Sequence, residues 1–160
     1  ATVQEALDYL QKKRIGLTNS HMLFGDSTGK AVIVEWVNGQ RVLHWITNNM
    51  LIMTNFLLSD TTAGNYPCYR FNSIKNNIID LEKNNNEINL LRVGNTVGQA
   101  VQTPKSDDSG RVGGTLYTSF INLTEFEFVL SYKLSNQNII KLDLKAEFAK
   151  TRGEKIKLEF

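Results

Sequence analysis

Residues 49–74 read NMLIMTNFLLSDTTAGNYPCYRFNSI, and the order of residue types in this stretch decides how the chain is read. An apolar run from Met50 to Met53 ends in Thr54-Asn55, which predicts a buried strand over about 50–55 that stops at a polar side chain. A short polar loop follows. A helix is then predicted over about 67–83, where Phe71, Ile74, Ile78 and Leu81 recur at helical spacing. A strand-end asparagine carries both an amide donor and a carbonyl acceptor, and such a donor can hold a developing oxyanion, an effect worth about 3 kcal/mol in acyl transfer. An arginine in the first turn of a helix opposes the helix dipole, so Arg70 is expected to pair with a carboxylate, a substrate or nearby backbone. Between the two lies Cys68, the single cysteine of the chain. A thiol nucleophile needs an adjacent base or a lowered pKa, and the two histidines, His21 and His44, both fall in predicted strands. Cys68 is therefore read as structural, and Asn55 and Arg70 as the pair of interest.

Working outward, Thr2 followed by Glu5 is a capping-box pattern, and Val3, Ala6, Leu7 and Leu10 predict a helix over 2–13. Two strands are predicted around the turn Asp26-Ser27-Thr28-Gly29, and Asn38-Gly39 is a strong two-residue hairpin signal. Residues 21–55 thus read as a four-stranded antiparallel meander. Val32, Val34 and Trp36 alternate with Ile33, Glu35 and Val37, leaving both faces largely apolar, as in a sheet covered on both sides. After the polar break EKNNNE, a second helix is predicted over about 87–101, weakened by Gly94 and Gly98. The segment TPKSDDSGRVGG (103–114) reads as a mobile loop with no apolar anchor. Strands follow at about 114–122, 126–133 and 138–143, then a tail ending in the alternating KIKLEF. The fold class is α+β with antiparallel sheet, arranged over 1–160 as a single domain.

Bulk properties narrow the function classes. A net charge of +2 with no long basic run argues against nucleic acid as the main partner. One cysteine excludes an internal disulfide and a multi-cysteine zinc site, and neither a cysteine nor paired carboxylates stand near His21 and His44 at metal-ligand spacing. GDSTGKA (25–31) fails as a phosphate loop, because Ala31 replaces the magnesium-binding hydroxyl and the segment joins two strands. No apolar run approaches the roughly 20 residues of a membrane span. Asn122-Leu123-Thr124 has the form of a glycosylation sequon, but its place at a strand end gives that reading no support. The chain starts at Ala1, almost inside a helix, and is expected to be a piece of something longer.

Four segments in order, HMLFGDSTGKAVIVEWVNGQ, LIMTNF, YRFNSI and GGTLYTSFINLTEFEFVLSYKLSNQNIIKLDL, resemble the choloylglycine hydrolase family. These are N-terminal-nucleophile enzymes acting on linear amides, among them bile salt hydrolases and penicillin V acylases. The resemblance implies part of an αββα sandwich with antiparallel sheets, hydrolysis of a small-molecule acyl amide, and no cofactor or metal. By position, Asn55 is similar to the family's oxyanion-hole asparagine and Arg70 to its second active-site arginine, with Thr54, Phe56 and Tyr69 as pocket neighbours. The family's nucleophile is a cysteine at the mature N-terminus, which Cys68 does not match, and family members run to about twice this length. The resemblance therefore implies the C-terminal half of the fold, inactive alone and completed by the N-terminal half, a second chain or another copy of itself. It leaves the substrate and the compartment open, while the asparagine-rich composition points to a bacterial source. The competing expectation is a self-sufficient, non-catalytic α+β binding or structural module, in which Asn55 and Arg70 have only local roles.

Overall fold

The capping box read at Thr2 forms as expected. Thr2 Oγ1 accepts the Glu5 N–H at 3.2 Å and the Glu5 carboxylate accepts the Thr2 N–H at 2.6 Å, so helix α1 (Val3–Lys12) starts with two otherwise orphaned donors satisfied. The structure is a computed structural model that describes residues 1–17, 20–62, 64–84, 87–133 and 138–150. The chain divides into two compact units, Ala1–Ile78 and Ile79–Phe160.

In the first unit, strands β1 (His21–Gly25), β2 (Ala31–Val37) and β3 (Gln40–Trp45) form an antiparallel sheet in the order β1-β2-β3. Val37 pairs with Gln40 across a two-residue turn in which Asn38 and Gly39 have φ of 51° and 76°, the positive values that a type I′ hairpin requires. Val3, Leu7 and Leu10 of α1 pack on Val32 and Val34 of β2, with Phe24, Trp36 and Leu43 at the margins. The opposite face of β2 carries Ile33 and Glu35, also wholly buried. The central strand is thus covered on both sides, as its sequence predicts.

The predicted fourth strand is not there. Asn48 and Asn49 both take positive φ, at 49° and 54°, and Thr47 and Met50 form an isolated bridge. Beyond Met50 the backbone leaves the sheet, and residues 51–58 run as an irregular segment. The apolar run is genuine, but Ile52 and Phe56 bury it without a ladder.

Asp26 ties the β1–β2 turn to α1. Its carboxylate accepts the Val3 N–H and the Thr28 N–H, each at 2.9 Å, as well as the Thr28 hydroxyl. The Thr28 hydroxyl and the Val3 amide, in that order, hold its pKa down to about 2, from an ordinary 3.8. A depressed carboxylate contributes stability that is complete above its unfolded pKa and is lost as pH falls toward the folded one. Acid unfolding followed by circular dichroism should therefore steepen between about pH 4 and pH 2. Asp26→Asn should be less stable at neutral pH and should show a shallower decline across that window. Equal acid slopes in the two proteins would refute the assignment.

Helix α2 (Tyr69–Lys83) forms where the apolar spacing predicts it. In the second unit, α3 (Leu90–Gly98) is capped by Asn89, which accepts the Arg92 N–H at 3.1 Å. The loop read as having no apolar anchor closes on a polar one, Asp107, which accepts the Ser109 N–H and hydroxyl and the Arg111 N–H. That turn joins the short strands β4 (Lys105–Ser106) and β5 (Val112–Gly113). Strands β6 (Tyr117–Asn122), β7 (Glu127–Tyr132) and β8 (Ile139–Asp143) form a second antiparallel sheet in that order. A further helix, α4 (Leu144–Ala149), starts under an Asp143 cap that the sequence reading overlooks. The KIKLEF tail lies outside the described residues.

Candidate active site

The segment carrying Asn55 is held by three sets of contacts, all within the first unit. The first is backbone. Asn55 accepts the Asn65 N–H at 3.1 Å, and Phe56 forms a bridge with Gly64. This approach is so close that a Cβ on Gly64 would stand 2.5 Å from the Asn55 carbonyl oxygen and 2.6 Å from Phe56 Cα. The second is aromatic. Phe56 is buried and meets Tyr66 and Phe71 in edge-to-face pairs, with ring centroids 5.2 Å apart in both, a favoured geometry for rings. The Tyr66–Pro67 peptide is cis.

The third set centres on Cys68, which immediately precedes α2 and accepts the Asn72 N–H on its carbonyl. The Cys68 thiol is buried and donates to Asn55 Oδ1 at 3.4 Å. With Oδ1 occupied, the Nδ2 donors of Asn55 have no acceptor among the described residues, on a side chain that is otherwise exposed. Burial raises the thiol pKa, but the Phe71 N–H, the Thr54 hydroxyl, the Arg70 N–H and the Arg70 charge together bring it below the ordinary value. The Thr54 hydroxyl is buried and makes no hydrogen bond of ordinary geometry among the described residues, and the sulfur is the neighbouring group on which it acts. Arg70 is half-buried and makes no ion pair among the described residues.

Of the residues singled out from sequence, Asn55, Thr54 and Arg70 therefore converge, and they do so on Cys68. Phe56 lies beneath them as a buried support, and Tyr69 is exposed on the first turn of α2. Sequence reasoning missed the thiol's contact with Asn55, because the two are 13 residues apart and only the fold of the loop joins them.

It also missed Glu35. This carboxylate is wholly buried on β2, an arrangement that costs heavily unless its oxygens are satisfied. Oε1 accepts the Leu58 N–H at 2.7 Å. Oε2 accepts the Ser59 N–H at 2.9 Å and the Ser59 hydroxyl at 2.6 Å, and lies 3.0 Å from His44 Nε2. Burial pushes its pKa up, and the Ser59 hydroxyl, the Leu58 and Ser59 amides and His44 more than reverse this, leaving it below the ordinary value. An ionised carboxylate only accepts hydrogen bonds, so His44 carries its proton on Nε2. His21, opposite Glu35 in the β1–β2 register, places Nδ1 3.9 Å from Oε1 with no hydrogen-bond partner among the described residues. The available signal is a lone glutamate inside the apolar run VIVEWV.

No protein-family profile and no curated relative matches the chain by sequence. Among solved structures it is similar to two variants of conjugated bile acid hydrolase from Clostridium perfringens, one with an arginine replaced by leucine and one with a cysteine replaced by alanine. Each matches with a TM-score of 0.63 and 16% identity over 91% of this chain. Over that length the chain shares the fold of these hydrolases. That bears out the resemblance of the four segments at the level of fold, and with it the mixed α+β class with antiparallel sheets. The match covers 58% of the length of those hydrolases.

Proposed function

We propose that this chain is part of an amide hydrolase of the choloylglycine hydrolase type, and that it supplies Asn55 as an oxyanion donor and Arg70 as the site's fixed positive charge. The observation that carries the reading is the Cys68–Asn55 contact, which holds the side-chain carbonyl of an exposed residue and leaves its amide protons without an acceptor among the described residues. In acyl transfer the carbonyl oxygen of the substrate becomes an oxyanion as the nucleophile adds. A donor already oriented toward that position needs no reorganisation when the charge appears. Arg70, half-buried and without an ion-pair partner among the described residues, adds a favourable potential in the same region.

Cys68 does not act as the nucleophile in this reading, because it is buried and spends its proton on Asn55. The nucleophile belongs to a part of the protein outside these 160 residues. The substrate class is a small-molecule acyl amide, of which conjugated bile acids are one member, with Thr54 and Tyr69 beside it and Phe56 beneath. The isolated chain accordingly hydrolyses no amide.

The test uses the complete protein, comprising this chain and the remainder of its fold. Asn55→Ala should lower kcat by about 10²–10³-fold, whereas Cys68→Ser, which keeps a donor next to Asn55, should remain within about tenfold of the parent. Amide hydrolysis by the 160-residue chain alone that survives Cys68→Ala but disappears with Asn55→Ala would overturn the view that the nucleophile lies elsewhere.

A further inference from the structure

We propose that Glu35 is a positioning residue for Asn55: its buried carboxylate, flanked by His21 and His44, grips the backbone amides of Leu58 and Ser59 and so fixes the approach to the exposed Asn55 amide. The inference rests on reading Asn55 as the oxyanion donor.

The geometry is unusual for a carboxylate whose only task is stability. Glu35 projects from the central strand of a sheet, yet none of its acceptors is used within β2 itself. Two of its four donors are consecutive backbone N–H groups of an irregular segment, which contribute at 2.7 and 2.9 Å, and a third is the Ser59 hydroxyl. An irregular segment without a ladder needs its amides satisfied in some other way. Here a single rigidly placed side chain performs that role three residues after Asn55. His44 completes the set from β3, with Nε2 at 3.0 Å from Glu35 Oε2 and 2.8 Å from Ser59 Oγ, so the clasp joins the third strand as well as the second to the loop. Independent holds act on Asn55 itself, whose carbonyl accepts the Asn65 N–H and whose side chain accepts the Cys68 thiol, and on the next residue through the Phe56–Gly64 bridge. Asn55 is therefore held directly by the returning loop and again three to four residues on by Glu35, and the Glu35 hold is the one anchored in the core.

Cys68 makes the proposal measurable without catalysis. It is the only thiol in the chain, it is buried against Asn55, and loosening of residues 55–59 would uncover it. In the 160-residue chain, Glu35→Gln should raise the rate of Cys68 alkylation by iodoacetamide by about tenfold, because hydrogen bonds to a charged acceptor are lost. Amide exchange at Leu58 and Ser59 should accelerate to a similar degree, while Val32 and Val34 in the core strand keep their protection. Ser59 is exposed, so Ser59→Ala removes one donor without disturbing packing and should give a smaller change in the same direction. It decides the matter if Glu35→Gln fails to fold. Unchanged alkylation and unchanged loop exchange would overturn the clasp. Equal loss of protection in β2 and in the loop would reduce Glu35 to a general stabiliser.

In the complete enzyme, Glu35→Gln should lower kcat by about tenfold while KM stays within about twofold, the signature of an interaction realised in the transition state. If Asn55→Ala abolishes activity and Glu35→Gln leaves kcat intact, the positioning role fails and the proposed function stands. If Asn55→Ala leaves activity intact, the functional reading fails, and the positioning role in catalysis fails with it, whatever the alkylation data show about the clasp.

Discussion

Gly64→Ala is expected to destabilise the first unit by about 3–5 kcal/mol and to free Cys68 for alkylation. Two effects combine. Gly64 has a φ of 119°, a backbone conformation that L side chains rarely adopt. Its missing Cβ would also stand 2.5 Å from the Asn55 carbonyl oxygen and 2.6 Å from Phe56 Cα. Both are backbone atoms, so neither can rotate away as a flexible side-chain end would. Relief requires the Phe56–Gly64 bridge to open, which also removes the Asn65 N–H from the Asn55 carbonyl.

Two other glycines provide the comparison. Gly29 and Gly39 also have positive φ, at 84° and 76°, but a Cβ there meets nothing within 4 Å, so each substitution to alanine should cost only about 1 kcal/mol. Gly94 lies in α3 in open space without a positive φ, and Gly94→Ala should stabilise by about 0.5–1 kcal/mol. Urea denaturation of the four variants would decide the matter. A Gly64→Ala chain no less stable than Gly39→Ala would mean that the close approach at Asn55 does not exist.

The contrast among these glycines shows what was legible in the sequence. Gly39 is readable because Asn38-Gly39 is a local signal whose turn closes on its immediate neighbours. The Thr2–Glu5 capping box and the apolar spacing of α2 are local in the same sense, and all three form as expected. Asp143 before α4 and Asp107 before Ser109-Gly110 carry equally local signals, which makes them oversights and not limits of the sequence.

Gly64 is different, because its requirement comes from a segment eight residues earlier that passes over it. Residues 50–55 were misread for a related reason. A buried apolar run bounded by polar residues fits a strand, and nothing in its pattern reveals that the amides following it are taken by a glutamate from another strand. Glu35 was visible as a charge in an apolar run, but its partners His21, His44 and Ser59 are gathered only by strand register and loop path. In the candidate site, Asn55 and Arg70 are singled out through their resemblance to a family pattern. Their convergence on Cys68 was not legible, because it depends on the loop returning to the start of α2.

Phe56→Ala is expected to cost about 3–5 kcal/mol, the usual penalty for emptying a buried aromatic site. The ring is 5% exposed and receives two edge-to-face contacts, from Tyr66 before α2 and from Phe71 on its first turn. Each pair adds about 0.5–1.5 kcal/mol beyond the area buried. Phe56 therefore joins the segment carrying Asn55 to the helix carrying Arg70, and removing it should separate the two site residues as well as lower stability.

Phe56→Leu distinguishes this role from direct contact with substrate. Leucine keeps most of the buried volume but loses the ring edges, so the cost should fall to about 1–1.5 kcal/mol. If the complete protein is the proposed amide hydrolase, the effect should then appear mainly in kcat, as Asn55 and Arg70 lose their mutual placement. A side chain that lined the acyl pocket would behave in the opposite way: Phe56→Leu would raise KM, leave kcat alone and barely move the denaturation midpoint. Burial against Tyr66 and Phe71 favours the first outcome, since a ring already enclosed by protein has little surface left to offer a ligand.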